Sequence, residues 1–264
     1  DEGGAEGRAE ATGDGCGGAW SSWCAAAASA LESGEGATRL RGAMSSARAA
    51  AVRATLLGAI PPEKLSTRVF SNMGCQVHEG RADSPGMEPS CEPVAAELWE
   101  LATQPRVLGL AHRLLGADCV LHNQGVALVT PARHPAELEH AQPHQDQPIN
   151  AASAWGGRVP PPSHPLSLQA LWLLDDFDYF NGATYVMPRT QQRPEHIGEW
   201  KRNASGQALA AGLFPVRFVT GRAGDVALAF GSLWHSSSSA HWPSPPRLAL
   251  LFEYAPSFVK PLHR

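Results

Sequence analysis

The spacing of apolar positions changes near the middle of the chain. Before residue 116 they recur at helical intervals. Val94, Leu98 and Leu101 fall on one face of an expected helix over Glu92 to Ala102. Leu108, Leu110, Ala111 and Leu114 belong to another, from Arg106 to Leu115, which Gly116 closes. The alanines, leucines and arginines of Thr38 to Leu57 predict a further helix, stopped by Gly58 and the Pro61-Pro62 pair. Trp20 and Trp23 followed by Ala25 to Ala30 predict a short helix docked on the main body. Val69 to Ser90 shows neither period and reads as irregular.

After Gly116 the strand period takes over. Cys119 to Thr130 carries one or two strands. Leu168 to Asp175 is nearly all apolar, as in a strand covered on both faces. Ala183 to Met187, Val216 to Val219, Val226 to Phe230 and Leu248 to Tyr254 follow, punctuated by Gly182, Pro188, Gly221 and Gly224. Helices first and strands later predict an all-β core with flanking helices, a sandwich or barrel. Asn150 to Ser167, with Trp155, Gly156-Gly157 and three successive prolines, is expected to be a long loop over one end of it. A lid and an inert insertion both fit that loop.

Composition narrows the class. The 264 residues are 43% hydrophobic and 17% charged, enough to bury a sizeable core. The net charge of −4 lacks the basic excess of a nucleic-acid-binding surface. No apolar run reaches the ~18 residues of a membrane span. Nine glycines and nine alanines in the first 36 residues mark a low-complexity arm over 1–36, followed by one domain over 37–264. Five cysteines, odd in number and without a CxxC pair, predict reduced thiols in a soluble intracellular protein. A Cys75–Cys91 bridge is the alternative left open. The chain begins at Asp1 rather than Met, as a processed or truncated product would.

The candidate chemistry lies in His144-Gln145-Asp146. In an extended segment, residues two apart point to the same side, so His144 and Asp146 present an imidazole and a carboxylate together. That is two thirds of the 2-His-1-carboxylate triad, which leaves part of a ferrous ion open to substrates. The spacing alone arises easily by chance in a chain with 11 histidines, so a third ligand is required. His235 is the candidate, just past the strand Val226 to Phe230. Its rival His241 lacks the preceding Leu-Trp. A zinc site from His134, His140 and His144 has no HExxH arrangement to support it. Arg247 opens the next strand. Antiparallel pairing of these two strands would bring it near His235, where a guanidinium can clamp a dicarboxylate.

These stretches, with Trp172 to Gly182, Val186 to Pro188, Gly224 to Phe230 and Arg247 to Leu250, resemble in order the phytanoyl-CoA dioxygenase family of Fe(II)/2-oxoglutarate oxygenases. The resemblance implies a double-stranded β-helix, the cupin-like jelly roll. It implies that His144, Asp146 and His235 hold Fe(II) and that Arg247 binds the far carboxylate of 2-oxoglutarate. Gln145 would touch the cosubstrate or support the ligands, and Asp225 would be structural. The implied reaction takes molecular oxygen, with ascorbate as an auxiliary reductant, and hydroxylates a small or medium organic substrate with release of succinate and CO₂. Asp146 argues against halogenation, because related halogenases carry a small residue there. Two departures stand out. Pro188-Arg189-Thr190-Gln191 replaces the family's frequent Pro-Gly-Ser-His, and Thr130 stands near the place of a frequent lysine. They motivate an alternative: a non-catalytic protein of the same fold that binds 2-oxoglutarate or a metabolite without turnover.

Overall fold

A computed structural model of the chain describes residues 21–59, 69–71, 92–129, 143–146, 160–198, 214–238 and 244–259. The described α-helices lie before residue 116, interleaved with two short strands: α1 (Ser21–Glu32), α2 (Ser46–Ala59), α3 (Glu92–Ala102) and α4 (Pro105–Leu115). Sequence reasoning locates α3 and α4 well because their signals are local. Gln104 caps α4, its side-chain oxygen accepting from the amides of Arg106 (2.9 Å) and Val107 (3.0 Å). Pro105 occupies the first turn, and Gly116 ends the helix at φ 102°.

Among the described residues nine strands form two sheets. The larger is six-stranded in the order β1-β7-β4-β9-β3-β2, the smaller three-stranded in the order β6-β5-β8. Their bounds are β1 (Ala37–Leu40), β2 (Val69–Ser71), β3 (Val120–Val129), β4 (Leu168–Leu173), β5 (Thr184–Val186), β6 (Arg217–Phe218), β7 (Val226–Phe230), β8 (His235–Ser237) and β9 (Arg247–Ala255). Every pairing is antiparallel. Side chains alternate across the large sheet. Leu168, Ala170 and Trp172 of β4, Leu228 and Phe230 of β7, and Leu250, Phe252 and Tyr254 of β9 enter one core with the helices. Leu31, Leu56, Val107 and Leu110 meet them from α1, α2 and α4. Each large side chain buried there contributes about 1.5–3 kcal/mol. The opposite face carries Gln169, Leu171, Ala227, Ala229, Arg247 and Leu251, which border a cavity instead.

Several expectations are corrected. Thr38 to Leu57 is not one helix. Its start is β1, which pairs with β7 from Ala37↔Ala229 to Leu40↔Val226. Ladder bonds along an otherwise open edge of β7 hold Thr38, Arg39 and Leu40 as strand, and the alanine-rich part of the stretch is α2. The turn into α2 is held by Asp225, whose carboxylate accepts from the Gly42 amide at 2.8 Å. Gly224 sits beside it at φ +97°, where a Cβ would lie 2.4 Å from the Met44 carbonyl oxygen. Val69 to Ser71, read as irregular, pairs with β3 on the other edge. β3 itself is one strand, with an irregularity between Leu121 and Asn123. β8 was not expected as a strand. β7 and β9 are not neighbours, because β4 pairs with both. Cys24 is disulfide-bonded, against the expectation of reduced thiols, whereas Cys119 is in no disulfide. The Cys75–Cys91 alternative, the first 20 residues of the arm and most of the Asn150 to Ser167 loop lie outside the described residues. Among the described residues no helix is long and apolar enough to cross a membrane.

Candidate metal centre

Two short pieces of chain form the centre. His144 and His235 exchange backbone hydrogen bonds, each amide donating to the other's carbonyl at 2.9 Å. The His144 segment thereby extends the small sheet past β8. The Asp146 amide donates to the Gly231 carbonyl at 2.9 Å. A Cβ on Gly231 would approach the Asp146 carbonyl oxygen to 3.2 Å and the Ser167 Oγ to 2.1 Å. A bare glycine is what lets the two segments lie this close.

His144 and Asp146 point to the same side, as the spacing predicts, and His235 faces them. One ligand atom from each lies within 4.8 Å of the others. His144 Nε2 is 3.4 Å from Asp146 Oδ1, and His235 Nε2 is 3.1 Å from Asp146 Oδ2. The Leu233 carbonyl, which can only accept, lies 2.8 Å from His235 Nδ1. The proton therefore sits on Nδ1, and Nε2 is the nitrogen turned to the centre. Burial disfavours the carboxylate of Asp146. The charge and hydrogen bond of His235, the charge of His144 and the Gln169 amide outweigh it, and hold the carboxyl well below its usual range. Burial likewise opposes the His235 imidazolium. The Asp146 charge and hydrogen bond and the Leu233 carbonyl more than offset it, so its pKa is raised.

Arg247 is 2% exposed. Its Nε donates to the Asn181 and Gly182 carbonyls at 3.1 Å each, and its Nη2 also donates to Gly182. The guanidinium lies 3.8 Å from the centre of the Phe177 ring. It does not meet His235 through β7–β9 pairing, since β4 intervenes. Both instead border a single cavity of about 710 Å³, His235 from the small sheet and Arg247 from the large one. Leu171, Val186, Phe218 and Leu251 give that cavity apolar walls.

Of the two expectations for Gln145, cosubstrate contact or support of the ligands, its position fits the second. Alternation turns it away from its neighbours, and its Oε1 accepts from the Ile197 amide at 2.7 Å. It is not among the residues bordering the cavity. Gln169 is the residue that sequence reasoning missed. Its Nε2 donates to Asp146 Oδ2 at 2.5 Å. The only signal for it was one amide inside the apolar strand LQALWL, on the face opposite Trp172. Asp225 has the structural role expected of it, and Trp172 and Trp234 are fully buried.

A family model described as phytanoyl-CoA dioxygenase matches residues 35–245. Among solved structures, the non-heme alpha ketoglutarate dependent epimerase SnoN from nogalamycin biosynthesis is similar at 20% identity and a TM-score of 0.56, over 89% of this chain and 84% of that one. HygX from Streptomyces hygroscopicus, solved with nickel and 2-oxoglutarate bound, is similar at 17% identity and a TM-score of 0.60, over 86% and 85%. AviO1 from Streptomyces viridochromogenes Tue57 is similar at 18% identity and a TM-score of 0.57, over 90% and 96%. The two facing sheets with helices on the outside are the jelly roll that the sequence led us to expect.

Proposed function

The chain belongs to the phytanoyl-CoA dioxygenase family, and from that premise we propose that it is an Fe(II)- and 2-oxoglutarate-dependent oxygenase that hydroxylates a small or medium organic molecule. Residues 37–264 are read as the catalytic domain and residues 1–36 as an arm whose helix α1 packs into the core of that domain through Cys24, Ala27, Ala28 and Leu31. The observation that carries the reading is the convergence of His144, Asp146 and His235 on one wall of a cavity that also holds a buried arginine. Two imidazoles and one carboxylate suit ferrous iron and leave positions open for other ligands. When bound, the iron brings 2-oxoglutarate and oxygen together and couples decarboxylation to oxidation of a C–H bond.

The chain's own residues do the rest. His235 is fixed in one tautomer by the Leu233 carbonyl. Arg247 is held in place by two backbone carbonyls and the Phe177 ring, and is assigned the far carboxylate of 2-oxoglutarate. Leu171, Val186 and Leu251 keep water from the cosubstrate. HygX with nickel and 2-oxoglutarate, and SnoN with Fe3+ and alpha ketoglutarate, support this assignment by likeness of fold. Gln145 is assigned to bracing the His144 segment rather than to the cosubstrate.

The altered Pro188 to Gln191 segment, which motivated a non-catalytic reading, has a structural use. Thr190 Oγ1 accepts from the Trp234 amide at 2.9 Å, and Gln191 Nε2 donates to the Leu31 (3.2 Å) and Gly34 (3.3 Å) carbonyls. These residues brace the neighbourhood of His235 and the end of α1.

The test is an assay of the full chain with Fe(II), 2-oxoglutarate, ascorbate and oxygen. Succinate is expected in step with 2-oxoglutarate consumed, and a substrate panel should yield a product about 16 mass units heavier, the mass of one oxygen atom. A product of unchanged mass and inverted configuration would replace hydroxylation by epimerisation. Absence of succinate, together with calorimetric binding of 2-oxoglutarate and Ni(II), would restore the non-catalytic alternative.

A further inference from the structure

We infer that Gln169 is a positioning residue of this centre: its amide holds one oxygen of Asp146 and so sets how the carboxylate is presented to a metal. The inference rests on the reading of His144, Asp146 and His235 as ligands, and it assigns a role to a side chain on the opposite sheet.

Gln169 lies on β4, inside the large sheet. Its backbone is paired on both sides, with Ala229 of β7 and with Glu253 of β9. The side chain is 7% exposed and faces the cavity, away from Leu168 and Ala170. A buried amide without a partner costs a few kcal/mol, so its neighbours decide whether it belongs there. A carboxylate only accepts, so the nitrogen of the amide must face Asp146. The 2.5 Å contact to Oδ2 meets that requirement.

The need for such a brace follows from the other side of the contact. The His144 segment is tethered through its backbone to His235 and Gly231. Those bonds fix the Asp146 Cα but leave the carboxylate free to rotate about its last torsion. Gln169 reaches across from a strand paired on both flanks and removes that freedom. Occupying one lone pair of Oδ2 also disfavours binding through both oxygens. A neutral amide suits the place, because Glu253, 3% exposed, lies directly across from Gln169 in the register. A third carboxylate between Asp146 and Glu253 would add repulsion in a site with little water to screen it.

Cobalt(II) titration of the metal-free full chain, followed by visible absorbance, tests this without relying on turnover. The variants are Gln169→Met, which keeps length and shape but lacks the donor, and Gln169→Asn, whose amide is one methylene too short to reach. Both are expected to bind cobalt about 10–100-fold more weakly than the parent. Their cobalt spectrum should also change in position or intensity, while the thermal midpoint of metal-free Gln169→Met, which leaves no unpaired amide, stays close to the parent's. A merely structural role would move the midpoint and leave the spectrum of the bound fraction alone. Parent affinity and parent spectrum in whichever variant folds would overturn the inference and leave the ligand reading standing. Failure of the parent to bind cobalt, or undiminished binding by Asp146→Ala, would overturn both.

Discussion

The two sheets are held together by different means. The large sheet has strands of up to 10 residues, and its helix-covered face buries Trp172, Phe230, Phe252 and Tyr254 almost completely. Its stability is a matter of apolar area, which is non-directional and shared among many contacts. The strands of the small sheet have two or three residues each. Their apolar cluster is limited to Tyr185, Met187, Ile197 and Trp234 with a few partly buried neighbours. Single hydrogen bonds between side chains and backbone compensate for the small cluster. Trp234 N donates to Thr190 Oγ1, Ile197 N to Gln145 Oε1, and Ser238 Oγ to the Ala183 carbonyl. All three candidate ligands belong to this second region. The large sheet supplies the floor beneath them, through Gln169 and Arg247. Direction-dependent bonds therefore surround the chemistry, and bulk packing lies one layer away.

If that division holds, damage to the large sheet separates stability from site geometry. Phe252→Ala removes a ring that faces the helices and not the cavity. A loss of about 3–5 kcal/mol is expected in denaturant unfolding. Cobalt affinity in the folded fraction should equal the parent's. A weakened cobalt site in a variant still folded would show that the helix-side core sets the ligand geometry, and the contrast between the sheets would collapse.

Damage to the small sheet should move both quantities together. Thr190→Val keeps the shape of the side chain and removes the acceptor of the buried Trp234 amide, next to His235. An unsatisfied buried donor costs about 1–3 kcal/mol. A smaller stability loss than for Phe252→Ala, accompanied by weaker cobalt binding, is the expected pair of results from the same two measurements. Lost stability with unaltered cobalt affinity would make Thr190 one more packing residue.

The same contrast explains what could be read from the sequence. β4, β7 and β9 stood out because long apolar strands of the large sheet carry their own pattern. β8 did not, since His235-Ser236-Ser237 has no apolar alternation and is a strand only because β5 and the His144 segment pair with it. β1 was hidden by its place next to the alanine-rich α2, and only the edge of β7 makes Ala37 to Leu40 a strand. In the centre, His144 and Asp146 were legible from their spacing, and His235 and Arg247 from their order along the chain. Their juxtaposition was reached by the wrong route, because nothing local says that β4 inserts between β7 and β9. Gln169 was illegible for a related reason: its partner is Asp146, 23 residues away in sequence and on the other sheet.

The smallest expected effect concerns Arg189, where strain is stored in the link between β5 and the bracing residues. Arg189 has φ 68° and ψ 2°, the left-handed conformation that favours glycine. Its side chain is exposed, and its amide donates to the Glu35 carbonyl at 3.2 Å, a bond that glycine retains. Relief of the left-handed conformation is worth about 1–2 kcal/mol. The greater freedom of glycine in the unfolded chain takes back about 0.4–1 kcal/mol. Arg189→Gly should therefore stabilise the protein by up to about 1.6 kcal/mol. The denaturant midpoint should rise with an unchanged slope, and cobalt affinity should not change. A lower midpoint would mean that the arginine side chain contributes more to the small sheet than its strained backbone costs, and that this region relies on side-chain contacts even where they reach into solvent.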